Sequence, residues 1–516
     1  MSGGNKMLKT ASFMAIATFL AKACGLVRES LITAFFGVGN TVDAYFAASQ
    51  LPTTLFDMVI GGVISASFIP VFNGIYEKEN RDNAMNFANK FIGMILLATL
   101  ILSVVGVVFS KELITGIIAP QFTGETAELA SKLSSIMFPM VIFTGLAFSF
   151  VGILQSFGEF NIPAIMSLVS NVAVILYFPI FGKRFGIYGL AVAILFSWSL
   201  QVIIQIPSLK KTGYKFRPVI DFRDKYILQA LSLALPMLIS TWVQPLYSLV
   251  NTRIASGADG VVSVLNCSNR LYLVMTGVFS FVVTNLIFPK LSRTNAAERL
   301  NESKSIVVGS LKAITLVIVP VMVAFILLSE DVIGIIYEHG KFTHDKTLIT
   351  AMTLSCYSAG MIGLAYNEIM TKTFFSMQNS KTPMISALIS MVANIIMAYV
   401  FYAKIGVGGL ALATAGGSTV NAVLNFMAYR RKQGRLFERN DLSDIVKTFV
   451  CGIVMAVVVI GVSSFTDEIF AENVLGYILH GAICGGLGLL VYLVLAYVIG
   501  IDSFKNAVGG VLGGRK

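Results

Sequence analysis

Along the chain, apolar runs of about twenty residues alternate with short segments that hold most of the charge. Each run is long enough to cross a hydrocarbon core of about 30 Å as a helix. The weak alternation of a membrane barrel, in segments of about ten residues, is missing, and in lipid only helices or closed barrels satisfy the backbone. The pattern therefore predicts an all-α integral membrane fold with fourteen transmembrane helices. They fall near residues 9–35, 43–74, 84–109, 128–156, 161–182, 186–207, 224–252, 260–290, 304–328, 348–377, 382–403, 407–430, 446–466 and 473–500. Lys6 and Lys9 ahead of "TASFMAIATFLA" mimic a signal peptide, but the apolar stretch runs past residue 35 and more spans follow, so it reads as an uncleaved first span.

The pattern also repeats. Sliding the chain against itself by 219 or 220 residues aligns four landmarks. "FIPVFN" with Pro70 meets "FPKLS" with Pro289, and "QFTGE" at 121 to 125 meets "KFTHD" at 341 to 345. Pro163 in "NIPAI" meets Pro383 in "KTPMI", and "GIYGLAVA" at 186 meets "GVGGLALA" at 406. A duplicated six-helix unit follows. Because six is even, both copies enter the membrane the same way, which predicts two parallel lobes around a central cavity. The expected division is residues 1–207 for the first lobe, 208–430 for the second, and 431–516 for a basic linker and two further helices outside the repeat. Such architecture is that of a transporter in which one lobe rocks against the other.

Composition agrees. Of 516 residues 56% are apolar and 13% charged, with a mean hydropathy of +0.80, against roughly 25% charged in soluble domains. The net charge of +11 does not call for a nucleic acid, because its distribution follows membrane topology. "YEKENRD", "SLKKTGYKFRPVIDFRDK", "KLSRTNAAERLNESK" and "RRKQGRLFERNDLSDIVK" fall on one side. The other side holds chiefly Lys111, Lys183, Arg184, Arg253, Lys341, Lys346 and Lys404. The positive-inside rule then puts both termini in the cytoplasm of a multi-pass inner membrane protein. Five cysteines in apolar runs without Cys-x-x-Cys spacing read as packing residues, and three scattered histidines suggest no metal site.

Charges inside spans are the exceptions that carry chemistry, since each costs about 2.5 to 3.5 kcal/mol at a helix centre. Lys22, Arg28 and Glu29 lie in the first span, Asp43 and Asp57 in the second, Arg270 in the eighth, and Glu368 and Lys372 in the tenth. Lys22 and Glu29 are two turns apart on one face, and Arg28 is about 100° round from Glu29. Glu368 and Lys372, four apart with the acid first, suit an intrahelical ion pair. Under the repeat the second and eighth spans are equivalent, so Lys22, Arg28 and Arg270 are expected to converge on a hydrated cavity from two lobes. Arginine offers a planar fork of donors to phosphate oxygens, and lysine a point charge. Lys22, Arg28, Glu29 and Arg270 are thus the candidate substrate-binding residues. Asp43, Gln50, Asp57 and Asn269 are the candidate gating or cavity residues. Pro52, Gly61, Gly62, Pro236 and Pro245 mark where the second and seventh spans can bend.

"CGLVRESLITAFFGVGNTVDAYFAASQLP", "SASFIPVF", "SNRLYLVMTGVFSFVVTNLIFPKLS" and "IYEHGKFTHDKT" resemble, in order and over nearly the whole chain, the MurJ/MviN group of lipid II flippases. This group lies within the superfamily of multidrug and lipid-linked oligosaccharide exporters. The resemblance implies transfer of an undecaprenyl-pyrophosphate-linked peptidoglycan precursor from the inner to the outer leaflet. It places Arg28, Glu29, Asp43 and Arg270 at family positions, with Lys22 where many members have arginine, and it implies a lipid-tail groove at the last two spans. The chain departs from the family in having Phe56 and Asp57 where many members have arginine after "LP", and Ala21 where a serine precedes the first arginine. A related exporter of another polyprenyl-linked glycan or of amphiphilic drugs is the alternative. The chain is not expected to be an enzyme: it has no phosphate-binding loop and no Asp-Asp pair for magnesium. No cofactor is expected, the membrane potential or a sodium or proton gradient being the driving force. The expected partners are the lipid-linked precursor and membrane lipids, with the chain acting as a monomer.

Overall fold

The computed structural model describes residues 2–59, 67–241, 243–466, 469–470, 473–501 and 504–505, with side chains left undescribed at 1–12, 15, 55–66, 235–244, 278–286, 289 and 296. Among the described residues the structure is helices joined by short loops, with no strand. Backbone groups in an apolar medium have no other open-chain solution.

By packing the chain forms two compact units, Met1–Ser263 and Val264–Lys516. The first contains α1 (Ser2–Phe36), α2 (Asn40–Val59), α3 (Ile69–Lys78), α4 (Arg81–Val108), α5 (Ser110–Leu113), α6 (Gly124–Met137), α7 (Met140–Ser156), α8 (Asn161–Tyr177), α9 (Lys183–Ile203), α10 (Ile206–Lys211), α11 (Lys225–Thr241) and α12 (Val243–Ala255). Helix α13 (Val261–Ala296) starts at its end. The second unit continues with α14 (Leu300–Leu327), α15 (Ser329–Tyr337), α16 (His344–Ser358), α17 (Met361–Ser376), α18 (Lys381–Ile405), α19 (Val407–Gln433), α20 (Arg439–Thr466) and α21 (Val474–Val498). π-helical turns at Ile114–Ile118 and Phe178–Gly182 close α5 and α8. Among the described residues, helices lie within each of the expected stretches. Eight helical stretches among the described residues are long and apolar enough to cross a membrane, or nine if the bent pair α16 and α17 counts as one span.

The packing boundary at Ser263 differs from the expected lobe boundary at 207 and 208. Helices α11 and α12 of the seventh span pack on α2, α3 and α4 and so belong by contact to the first unit. Helices α20 and α21 pack on α14 and α15, with Val319, Cys451, Met455, Val459, Cys484 and Tyr492 in one buried cluster.

The repeat is visible in the backbone of each half. Helices α6 and α16 begin at 124 and 344, immediately after "QFT" and "KFT", whose Phe122 and Phe342 are both buried. Helices α8 and α18 begin at 161 and 381. Gly186 and Gly406 share one conformation (φ 55°, ψ −146° and φ 63°, ψ −138°) that side-chain-bearing residues avoid, so the two "GxxGLA" landmarks encode the same sharp turn. Gly158 and Gln378, 220 residues apart, both have positive φ, and only the first half places glycine there.

Candidate functional site

Helix α1 packs along α8, and that contact organises the cationic group of the first unit. Arg28 Nη1 donates to Asn171 Oδ1 at 3.0 Å, and Arg28 Nη2 lies 3.3 Å from Glu29 Oε1 in an ion pair. Asn171 Nδ2 in turn donates to the Ala21 carbonyl at 3.0 Å, locking the amide so that its oxygen faces the guanidinium. Glu29 is buried, whereas the Arg28 side chain keeps 21% of its exposure. Arg28 Nε is buried and makes no hydrogen bond among the described residues. The guanidinium is therefore oriented by an acid and an amide, with donor capacity left over. Lys22 lies partly buried two turns earlier on α1.

The acid of the second span has a different environment. Asp43 is fully buried in the first turn of α2. Its Oδ2 accepts the Gly260 amide at 2.7 Å, and its Oδ1 accepts the Ser263 amide at 2.7 Å together with the Ser263 hydroxyl. Those amides are the ones a helix start leaves unpaired, so Asp43 caps α13 from another helix. Gly260, with φ 78°, supplies the turn that aims them. Two turns along α2, Gln50 Nε2 donates to Ser248 Oγ of α12 at 2.7 Å, while Gln50 Oε1 is buried without a partner among the described residues. Arg253 ties the end of α12 to the π-turn after α5, donating to the Gly116 and Ile117 carbonyls at 2.8 and 3.1 Å. The side chain of Asp57 lies outside the described residues.

In the second unit, Asn269 is half-buried and Arg270 exposed on α13, and Lys372 Nζ stands 5.7 Å from the centre of the Phe288 ring. An apolar groove of about 450 Å³ runs between α14, α20 and α21, walled by Leu316, Val317, Pro320, Met455, Leu489 and Tyr492. The structure thus joins Arg28, Glu29 and Asn171 in one unit, gives Asp43 and Gln50 partners on the seventh and eighth spans, and sets Arg270 and Asn269 on the other unit. Sequence reasoning missed Asn171, Ser248, Gly260 and Ser263. Neutral polar residues in apolar runs carry little signal, although Asn171 in "SLVSNVAVIL" sits mid-span.

A family model described as lipid II flippase MurJ matches residues 32–481. The chain belongs to the lipid II flippase MurJ family. It is 26% identical over 423 residues to a relative from Burkholderia cenocepacia named lipid II flippase MurJ, covering 80% of this chain and 82% of that one. A relative from Rickettsia prowazekii is 25% identical over 511 residues, covering 97% and 99%. Among solved structures, a lipid II flippase MurJ in an inward closed conformation superposes with a TM-score of 0.79 at 26% identity, covering 94% of this chain and 98% of that one. An inward-facing multidrug transporter of the MATE family shares the fold, with a TM-score of 0.69 at 16% identity over 82% of this chain and 98% of its own. The protein is accordingly a multi-pass membrane transporter of the MurJ family, and fold and family agree with the architecture expected from hydropathy.

Proposed function

We propose that this transporter flips lipid II, the polyprenyl-diphosphate-linked peptidoglycan precursor, from the inner to the outer leaflet of the cytoplasmic membrane by alternating access. The observation that carries this reading is the Arg28 guanidinium, held in an apolar helix by Glu29 and Asn171 while its side chain stays 21% exposed. A cation maintained at that cost fits an anionic ligand, and its fork of donors fits a diphosphate. Arg270, with Lys22, supplies further positive charge to the headgroup. Asp43, Gln50 and Asn269 act in gating, and the polyprenyl tail lies in the groove between α14, α20 and α21.

Both termini face the cytoplasm, following the distribution of lysine and arginine. The chain works as a monomer without a cofactor. Two negative charges moving outward across a potential negative inside gain about 4 to 5 kcal/mol per 100 mV, so no nucleotide need be consumed. Replacing a host's lipid II flippase under depletion tests the reading. Growth and normal cell shape are expected from the wild-type gene and not from the Arg28→Ala variant. Lysis with both, despite membrane insertion, would point to a different lipid-linked or amphiphilic cargo.

A further inference from the structure

"DFRD" at 221 to 224 and "DLSD" at 441 to 444 stand 220 residues apart, the interval of the repeat. Each meets a lysine. Lys90 Nζ on α4 donates to Asp221 Oδ2 at 2.9 Å and to Asp224 Oδ2 at 2.7 Å. Lys312 Nζ on α14 donates to Asp441 Oδ1 at 3.2 Å and makes an ion contact with Asp444 Oδ2 at 2.8 Å. Helices α4 and α14 match in the repeat, beginning at 81 and 300. Lys312 lies about one turn further along, on the same face. Among the described residues, a lysine clasping two aspartates thus recurs in each half, and α20 packs on α14 as α11 packs on α4. At the aspartates the 220-residue interval carries on to the start of α20, whereas the lysines stand two to three residues out of it.

What the clasp holds differs between the halves. In the first, Asp221 and Asp224 flank a turn just ahead of α11, and Asp224 Oδ1 caps α11 by accepting the Tyr226 amide at 2.8 Å. In the second, α20 has already begun at Arg439, so both aspartates ride on the helix and move it with them. The Asp444 and Lys312 side chains are 5% and 13% exposed. Beyond the clasp, α20 and α21 are keyed to α14 again. Pro320 leaves the Leu316 carbonyl without its in-helix donor, and the Tyr492 hydroxyl on α21 fills the place at 2.8 Å. Gly452 on α20 admits Val319, where any side chain would collide. The apolar groove opens one turn beyond Lys312.

We propose that Lys312, with Asp441 and Asp444, is a positioning group that sets α20 against α14 and so fixes the width of the groove that receives a prenyl tail. The identity of the tail rests on the proposed function; the mount does not. The test uses the full chain in vesicles, with a long-chain polyprenyl-diphosphate disaccharide and its short-chain analogue as probes, together with hydrogen exchange of the 439–450 amides. Lys312→Met should slow flipping of the long-chain probe roughly tenfold and that of the short-chain probe by less than about twofold. Exchange at 439–450 should accelerate, and Lys312→Arg should restore both. Equal loss on the two probes, an unchanged long-chain rate, or unchanged exchange would overturn the proposal. Should Lys312→Met fail to accumulate, Asp441→Asn, which keeps the Asp444 contact, carries the same comparison. If the wild type moves neither probe, the functional reading fails, and the exchange measurement alone still decides the clasp.

Discussion

Asp43 and Arg28 both set a full charge in an apolar helix, yet their surroundings are opposite. Three donors saturate Asp43, which is sealed from solvent. Arg28 keeps part of its exposure and one nitrogen without a bond. A saturated buried charge serves the protein itself, here by capping α13, because any ligand would have to displace bonds already made. Under the proposed function, an oriented charge with spare donors serves a ligand that comes and goes. Charge in a membrane helix thus marks importance, while the accounting of its bonds marks role.

Removing the two groups should break the molecule in different ways. Asp43→Ala strands two amides and a hydroxyl in a buried site, which costs on the order of 3 to 5 kcal/mol. The expected result is a lowered thermal midpoint in detergent and poor accumulation in the membrane. Arg28→Ala should lower that midpoint less than Asp43→Ala does while cutting transport in vesicles roughly hundredfold. If instead Arg28→Ala is lost from the membrane and Asp43→Ala is stable but inactive, the two roles are reversed. Arg28→Lys should fall between, since it keeps the charge and loses the fork.

Asn171→Ala sharpens the contrast at smaller scale. It removes one charge-assisted bond and frees the guanidinium to turn, and a transport loss of about fivefold with little change in stability is expected.

The smallest effect concerns the linker before α11. The Lys90 bond and the Arg223 amide hold the Asp221 carboxyl below the usual carboxylate range, and the Tyr226 hydroxyl and Asn83 amide do the same for Glu79. Groups with depressed folded values stabilise above the unfolded pKa of about 4 and lose that contribution as pH falls through the folded value. Hydrogen exchange of residues 212–224, corrected for intrinsic rates, should therefore be flat from neutral pH down to about pH 4 and accelerate below it. Acceleration nearer neutrality would mean that other groups hold the linker.

Much of this was legible beforehand. Lipid leaves the backbone few choices, so hydropathy placed the helices, and "GxxGLA" and "xFTxx" recur because each copy needs the same turn and the same helix start. The partners of the charges were harder to see. Asp43 and Ser263 are 220 residues apart, and Arg28 and Asn171 are 143 apart, and no local pattern links an acid to a distant pair of amides. The clasps were hidden in a different way. "DFRD" and "DLSD" lie in segments dominated by lysine and arginine, where the positive charge that sets topology masks the acids. The packing of the seventh span with the first unit is a property of contacts and leaves no trace in periodicity.

Binding of the diphosphate is the claim on which the rest depends. Purified chain in nanodiscs should bind a polyprenyl diphosphate in competition with inorganic pyrophosphate, and Arg28→Ala and Arg270→Ala should each weaken binding by about tenfold or more while both variants stay folded. Wild-type affinity in both folded variants would contradict the account.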